Sequence, residues 1–327
     1  MRKLRVEEEV IANWKGDIEK PVVSICCLAF NHEFYIEDAL EGFLIQETDF
    51  PFEILIHDDA STDRTADIIR EYEERYPRIV KPIYQAENQY SKGVKVSSVF
   101  NFPRAQGKYI AMCEGDDYWV DKNKLKKQIK RIEELNTDIC FTNAYLENNS
   151  GGRVLKYKSG EILDKLIFSE VIRKGGGGMP TPSLLIRKEV LMNLPSWFSK
   201  APVGDFFIQI LGAQRNGAAY VSDITSVYRV ASVGSWTSKR SKASEVKIKE
   251  EAEAYEFIFN EMRTDILRPD DLNYALAVEL YRLAALSIKM KYFELANDLI
   301  ARSWRYYKLQ SIKQIILVYT RFFWRSF

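Results

Sequence analysis

Only two histidines, His32 and His57, occur in 327 residues, and neither lies in a nucleophile motif, so a histidine-based catalytic triad has no support. Cysteine is as sparse. Cys26, Cys27, Cys113 and Cys140 all fall in apolar runs, with no C-x-x-C pair or Cys/His cluster. That speaks against both a zinc site and a disulfide framework, and it fits a reducing compartment. Net charge is nearly absent: 47 basic and 46 acidic side chains leave +1, which gives no field for a nucleic-acid partner. No run reaches the roughly 18 apolar residues that span a bilayer, and residues 1–10 are charged and lack the core of a signal peptide. The expectation is a cytoplasmic protein, at most attached to the inner face of a membrane. No G-x-G-x-x-G follows the first strand, which disfavours a nicotinamide dehydrogenase, and no basic triphosphate loop suggests a nucleotidyltransferase.

What remains is an ordinary globular composition, 46% hydrophobic and 28% charged, long enough for one full α/β domain and a smaller appendage. After a polar lead-in over 1–20, the continuous apolar run 22–30 reads as a buried strand. Helical spacing follows over 33–46, then a strand at 52–57, a helix that Thr62 or Asp63 would cap and Pro77 would stop, and strands at 79–84 and 109–113. Strands alternating with helices predict a mostly parallel sheet covered on both faces, with ligands beyond the carboxyl ends of the strands. Further strands are expected at 139–143, 183–187, 218–221 and 225–230, and helices at 121–135, at 205–214 and from about 243 onward. The run Gly175–Gly178 reads as the most flexible segment, an acceptor-side loop or a loose linker.

Two acidic clusters fall at strand ends. Glu114-Gly115-Asp116-Asp117 sets three carboxylates in four residues, which repel one another unless a cation lies among them. A hard divalent ion, Mg²⁺ or Mn²⁺, bridging carboxylate and diphosphate oxygens would supply it. An acidic turn with a helix cap is the local alternative. Asp58 and Asp59 can accept from a base imide N–H or form an Asx-turn. Phe30 can stack on a nucleobase or belong to the core.

Taken in order, Val23-Ser24-Ile25 with Ala29-Phe30-Asn31, Ile56-His57-Asp58-Asp59-Ala60-Ser61-Thr62-Asp63, and Gly107-Lys108-Tyr109-Ile110 with Glu114-Gly115-Asp116-Asp117-Tyr118-Trp119 resemble glycosyltransferase family 2. The resemblance covers about 21–240. It implies the GT-A fold, a nucleoside-diphosphate-sugar donor of the UDP or dTDP type, inversion at the anomeric carbon, and a role in bacterial surface polysaccharide or glycoconjugate synthesis. It further implies that Phe30, Asp58, Asp59 and Asn88 hold the base, and that Glu114, Gly115 and Asp116 hold the diphosphate. Asp116 and Glu114 would hold the metal, with Glu in place of the family's first Asp. Gly204-Asp205-Phe206 matches the segment of the catalytic base, so Asp205 would take the acceptor proton; locally it reads as a helix N-cap. Asp117, Trp119, Arg229 and Trp236 are candidates for closing the donor or acceptor side. Relatives commonly carry a His after Tyr-Arg-x, where this chain has Ala231, so a water-completed metal shell or weaker metal dependence is expected.

The predicted organisation is a lead-in at 1–20, a GT-A domain at 21–240 and a helical region at 241–327. Residues 274–304 loosely resemble one tetratricopeptide hairpin. From Leu299 to Phe327 there is no acid, but six basic residues stand among many aromatics. Such a helix can lie on an anionic membrane, near a lipid-linked or other glycan acceptor, or can pack on the fold or a second copy of the chain. A non-catalytic sugar-nucleotide or glycan-binding protein on the same fold is the rival reading.

Overall fold

The computed structural model describes residues 5–230, 232, 243–265 and 268–320. Ala231 and Trp236, singled out above, lie outside them. The strands are β1 (Val23–Ala29), β2 (Phe52–Asp58), β3 (Val80–Tyr84), β4 (Tyr109–Glu114), β5 (Tyr118–Trp119), β6 (Ile139–Glu147), β7 (Arg153–Leu155), β8 (Lys165–Leu166), β9 (Leu185–Arg187) and β10 (Ala218–Arg229). Among the described residues they form one sheet in the order β3-β2-β1-β4-β9-β6-β10-β5, with β7 on β6 and β8 on β10.

β1, β2, β3 and β4 are mutually parallel, and the apolar run of β1 is that of a strand covered on both faces. Val23, Ile25, Cys27 and Ala29 of β1 share one core with Leu40 and Phe43 of the helix Ile36–Leu44. Ile69 and Tyr72 of the helix Thr65–Arg75 and Leu125 and Ile132 of the helix Lys124–Leu135 complete it. The i, i+2 spacing on the strand meets the i, i+3 or i, i+7 spacing on the helices, which is why both periodicities are written in the sequence. All four cysteines are buried and free.

The sheet is mixed and mostly parallel, as expected of the GT-A fold: β9, three residues long, runs antiparallel between β4 and β6. Two features depart from the sequence reading. The strands expected at 218–221 and 225–230 are one strand, β10, kept continuous beside β6 by register shifts around Ile224. The lead-in is built into the fold. Val10 joins the core, Trp14 meets Phe52 edge-on at 5.0 Å, and Glu7 accepts from the Arg78 backbone and Nε, each at 2.8 Å.

The chain divides into two compact units. The first holds residues 1–168, 176–194 and 208–232, which include the whole sheet; the second holds 169–175, 195–207 and 233–327. In the second, the helices Glu245–Asp265, Pro269–Lys289, Phe293–Tyr306 and Ile312–Thr320 dominate. Arg173 joins the Pro269–Lys289 helix through Asp270 and Asp271, and Arg302 joins the Glu245–Asp265 helix through Glu256. Among the described residues no helix is long and apolar enough to cross a membrane.

Candidate functional site

Two consecutive carbonyls at the end of β1 hold both acidic loops. Ala29 O accepts the Asp59 N–H at 2.9 Å, and Leu28 O accepts the Gly115 N–H at 2.8 Å. In the sheet, Leu28 stands opposite His57 on one side and Glu114 on the other. Strands lie about 4.8 Å apart, so the Asp58-Asp59 and Glu114–Asp117 segments leave the sheet as neighbours at one edge. Gly115 is needed for this approach. A Cβ there would stand 2.9 Å from His32 Nδ1, 3.0 Å from Ile36 Cδ1 and 3.2 Å from Leu28 O.

The loop after β1 is laced to the loop after β2. Asn31 N donates to Ser61 Oγ, His32 N to Thr65 Oγ1 and Glu33 N to Asp63 Oδ2, while Asn31 Oδ1 accepts the Thr62 N–H. Asn31 and Ala60 take the left-handed conformation, with φ of 56° and 62°. For alanine that costs about 1 kcal/mol, which the surrounding bonds must offset. Asp63 does not cap the helix as expected; it accepts the Thr65 N–H, and the helix starts at Thr65.

Phe30, half-buried, begins this loop. Asp58 makes its Asx-turn through the Ser61 N–H, leaves Oδ1 buried without a partner, and has its carboxyl raised above the ordinary value by burial. Asp59 is buried, and its two oxygens accept the Gln89 and Tyr90 N–H groups at 2.8 and 3.0 Å. Asn88 donates from Nδ2 to the Asp59 carbonyl at 3.0 Å. Asp59 and Asn88 are therefore brought together, and Asp59 organises the loop that carries Asn88. His57, 3.5 Å from Asp59, is pushed below the usual imidazole value by burial, against the pull of that carboxylate.

At the second loop, Glu114 is exposed while Asp116 and Asp117 are buried. Asp117 accepts the Arg229 N–H at 2.7 Å on Oδ1, and its buried Oδ2 has no partner. Burial lifts its carboxyl well above the usual range, and Asp116 and Glu114 add to the effect. Ser232 donates its hydroxyl to Asp116 Oδ2.

Arg229 is a hub whose partners the sequence reading did not include. It donates to the Asp116 carbonyl at 2.9 Å, pairs with Asp38 and with Glu147, and lies over the Tyr118 ring at 4.4 Å and the Tyr35 ring at 5.1 Å. Its guanidinium is engaged inside the protein, so it shapes the acidic turn from behind. Asp38, Glu147 and Ser232 carried no motif that would mark them; only the approach of β10 to the loop after β4 does so.

A divalent cation fits this turn in a restricted way. Among the described residues no three Asp, Glu, His or Cys side chains gather to chelate one. Yet Asp116 and Asp117 are adjacent in one turn, and Asp117 keeps an orphaned oxygen there. Mg²⁺-like ions that arrive with a diphosphate need only one or two carboxylates, the phosphates and water supplying the rest. The donor set suits such an ion and not a protein-only cage.

Trp119 is corrected. It is fully buried against Phe43, its ring under the Lys124 ammonium at 4.3 Å, and its indole N–H donates to the Pro182 carbonyl at 2.9 Å. In this packing it offers no face to a ligand. In the glycine run, Gly176–Gly178 forms a 3₁₀ turn, the Gly178 carbonyl accepts from Tyr157 OH, and the Gly176 carbonyl accepts from Gln209 Nε2 at 3.1 Å. Asp205 belongs to the second unit, half-buried in the first turn of the helix Gly204–Gly212, and its Oδ1 accepts the Phe206 N–H at 2.8 Å.

The family model described as Glycosyl transferase family 2 matches residues 24–194. The protein Rv1520 of Mycobacterium tuberculosis is 33% identical over 66% of this chain and 61% of its own length. The chain thus spans under two thirds of that relative. The putative teichuronic acid biosynthesis glycosyltransferase TuaG of Bacillus subtilis is 36% identical over 49% of this chain and 55% of its own. WfaP of Escherichia coli, described as a UDP-Glc:alpha-D-GlcNAc-diphosphoundecaprenol beta-1,3-glucosyltransferase, is 34% identical over 39% and 48%. Among solved structures, residues 1–349 of TarS from S. aureus in complex with UDP superpose with a TM-score of 0.51 at 20% identity, covering 88% of this chain and 89% of that one. The mannosyltransferase PcManGT from Pyrobaculum calidifontis, in complex with GDP-Man and Mn²⁺, does so with 0.58 at 15% identity, covering 94% and 89%. At these identities the likeness speaks for the fold, which is GT-A.

Proposed function

We propose, from the premise that this chain belongs to glycosyl transferase family 2, that it transfers a sugar from a nucleoside diphosphate to an acceptor hydroxyl with inversion. The observation that carries the reading is the pair of acidic loops held by consecutive β1 carbonyls, Ala29 for Asp59 and Leu28 for Gly115. A nucleoside diphosphate is a base joined to an anionic chain, and two adjacent loops with different chemistry suit its two ends. We assign residues 21–240 to the transferase domain and 241–327 to a helical extension.

In this reading Phe30 and the Asn88 loop flank the base, and Asp59 keeps that loop in place. Asp58, whose buried Oδ1 lacks a partner, is the better candidate to accept the imide N–H of uracil or thymine. Asp116, with Glu114 in support, holds the metal–diphosphate end, and Ser232 and Arg229 orient Asp116. Asp116 and Glu114 would hold Mn²⁺ or Mg²⁺, which would supply positive charge for the departing diphosphate. Asp205 accepts the proton of the attacking hydroxyl as the bond to the anomeric carbon forms. That TuaG and WfaP are described with polysaccharide synthesis and a diphosphoundecaprenol acceptor supports a glycan acceptor, carried on a lipid.

The test is a screen of UDP-, dTDP- and GDP-sugars against lipid-linked and free glycan acceptors, with Mn²⁺ and with chelator, following nucleoside diphosphate release. Acceptor-dependent release with one donor class, lost in Asp116→Asn, is expected, and NMR of the product should show the inverted anomer. Donor binding without transfer to any acceptor would instead make the chain a sugar-nucleotide binding protein.

A further inference from the structure

The helix Ile312–Thr320 is apolar on more than the side it buries. Its inward residues are Gln314 and Val318, both buried. Gln314 donates from Nε2 to Ser303 Oγ at 2.9 Å and to the Tyr307 carbonyl at 3.0 Å, and its Oε1 accepts the Gln310 N–H at 3.1 Å. Ser303 in turn donates to the Ala277 carbonyl at 2.7 Å. A polar lock thus fixes which side of the helix faces the neighbouring helices. With about 100° per residue, Ile312, Ile316 and Tyr319 lie on the opposite side, and they are 76%, 52% and 68% exposed. Leu309, in the turn that leads into the helix, is 66% exposed and sits at φ 58°. A leucine is a poor choice both for water and for the left-handed region.

We propose that this face rests on an anionic lipid surface. Arg305, Lys308 and Lys313, close to it in sequence, are exposed, and none is ion-paired to a described residue. From Leu299 to the end of the sequence there are six basic residues and no acid, and Phe322, Phe323, Trp324 and Phe327 follow the helix in sequence. Exposed apolar side chains, with cations and aromatics close by in sequence, match the boundary between acyl chains and anionic headgroups. A second copy of the chain would set the same basic rim against itself in a two-fold contact, which repels. The inference is independent of the transfer reaction and concerns where the protein resides.

Vesicle flotation of the full chain tests it, using phosphatidylcholine with and without phosphatidylglycerol. Binding is expected only with phosphatidylglycerol and should weaken as salt rises. Ile312→Glu with Ile316→Glu should lower partition about tenfold or more, and Lys308→Gln with Lys313→Gln about fivefold per charge removed. Both are surface changes, so melting temperature and nucleotide binding should hold. Failure to float with phosphatidylglycerol, or flotation unchanged in the Ile312/Ile316 variant, overturns the proposal. So does a dimer, seen by light scattering, that this variant dissolves while the wild-type chain ignores vesicles.

Discussion

The backbone N–H of Arg229 donates to the Asp117 carboxylate at 2.7 Å, while its guanidinium donates to the Asp116 carbonyl at 2.9 Å. One residue at the end of β10 therefore holds consecutive residues of the acidic turn after β4, by main chain and by side chain. The two segments are more than a hundred residues apart in sequence, and their meeting holds the backbone of the turn that carries Asp116.

Removing that guanidinium should loosen the turn as well as the fold. Arg229 and Glu147 are both largely buried; without Arg229, Glu147 keeps only Arg153, and the Asp116 carbonyl loses its donor. Arg229→Ala should cost about 2 kcal/mol in urea unfolding and weaken binding of nucleoside diphosphate in the presence of Mn²⁺. Arg229→Lys should recover little of either, because an ammonium cannot reproduce the fork or the stacking on Tyr118. Wild-type stability in Arg229→Lys would show that charge alone suffices.

Asp59 is expected to act on the Asn88–Tyr90 loop. Asp59→Ala frees the Gln89 and Tyr90 N–H groups, which now bond to a charged acceptor, at a cost of roughly 2 kcal/mol or more. Hydrogen exchange at those amides should rise, and affinity for the donor's nucleotide should fall with it. Asp59→Asn, which keeps one acceptor oxygen, should lie between. Unchanged exchange at both amides in the alanine variant would remove the organising role.

Lys124 sets a pH dependence of stability. Its ammonium is fully buried over the Trp119 ring and bonded to Gln128, and burial lowers it to about 7 from the ordinary 10.5. Between those values the unfolded chain binds a proton that the folded chain lacks, so stability rises with pH across that window and is lowest below about 7. The rise should be on the order of a few kcal/mol. In Lys124→Met it should vanish. Urea unfolding at pH 6, 8 and 10 reads the difference between the two chains, and parallel curves would place the charge elsewhere.

Asp205→Asn separates chemistry from binding. With the carboxylate gone but its shape kept, donor affinity should stay within about twofold, while turnover falls by about 10²–10⁴. Calorimetry with donor and single-turnover transfer assays give the two numbers. Normal turnover would assign the base to another residue.

Much of the fold was legible because its signals are local. Continuous apolar runs such as 22–30 mark strands buried on both faces, and acids placed where those runs stop mark the loops that leave the sheet at one edge. The glycine in Glu114-Gly115-Asp116 was legible as part of a motif, but its reason, the approach of Leu28 O and His32, was not. The sequence alone determined the alternation of elements, the two acidic loops and the helical character of the C-terminal third. Tertiary structure alone decided that Trp119 is core, that Asp59 spends its oxygens on Gln89 and Tyr90, that Arg229 reaches Asp38 and Glu147, and that Ile312 and Ile316 face outward. Periodicity tells which side of an element is apolar, because it depends only on backbone geometry. Which side is covered, and which donor meets which acceptor, depends on the elements that end beside it, and those come from distant parts of the chain.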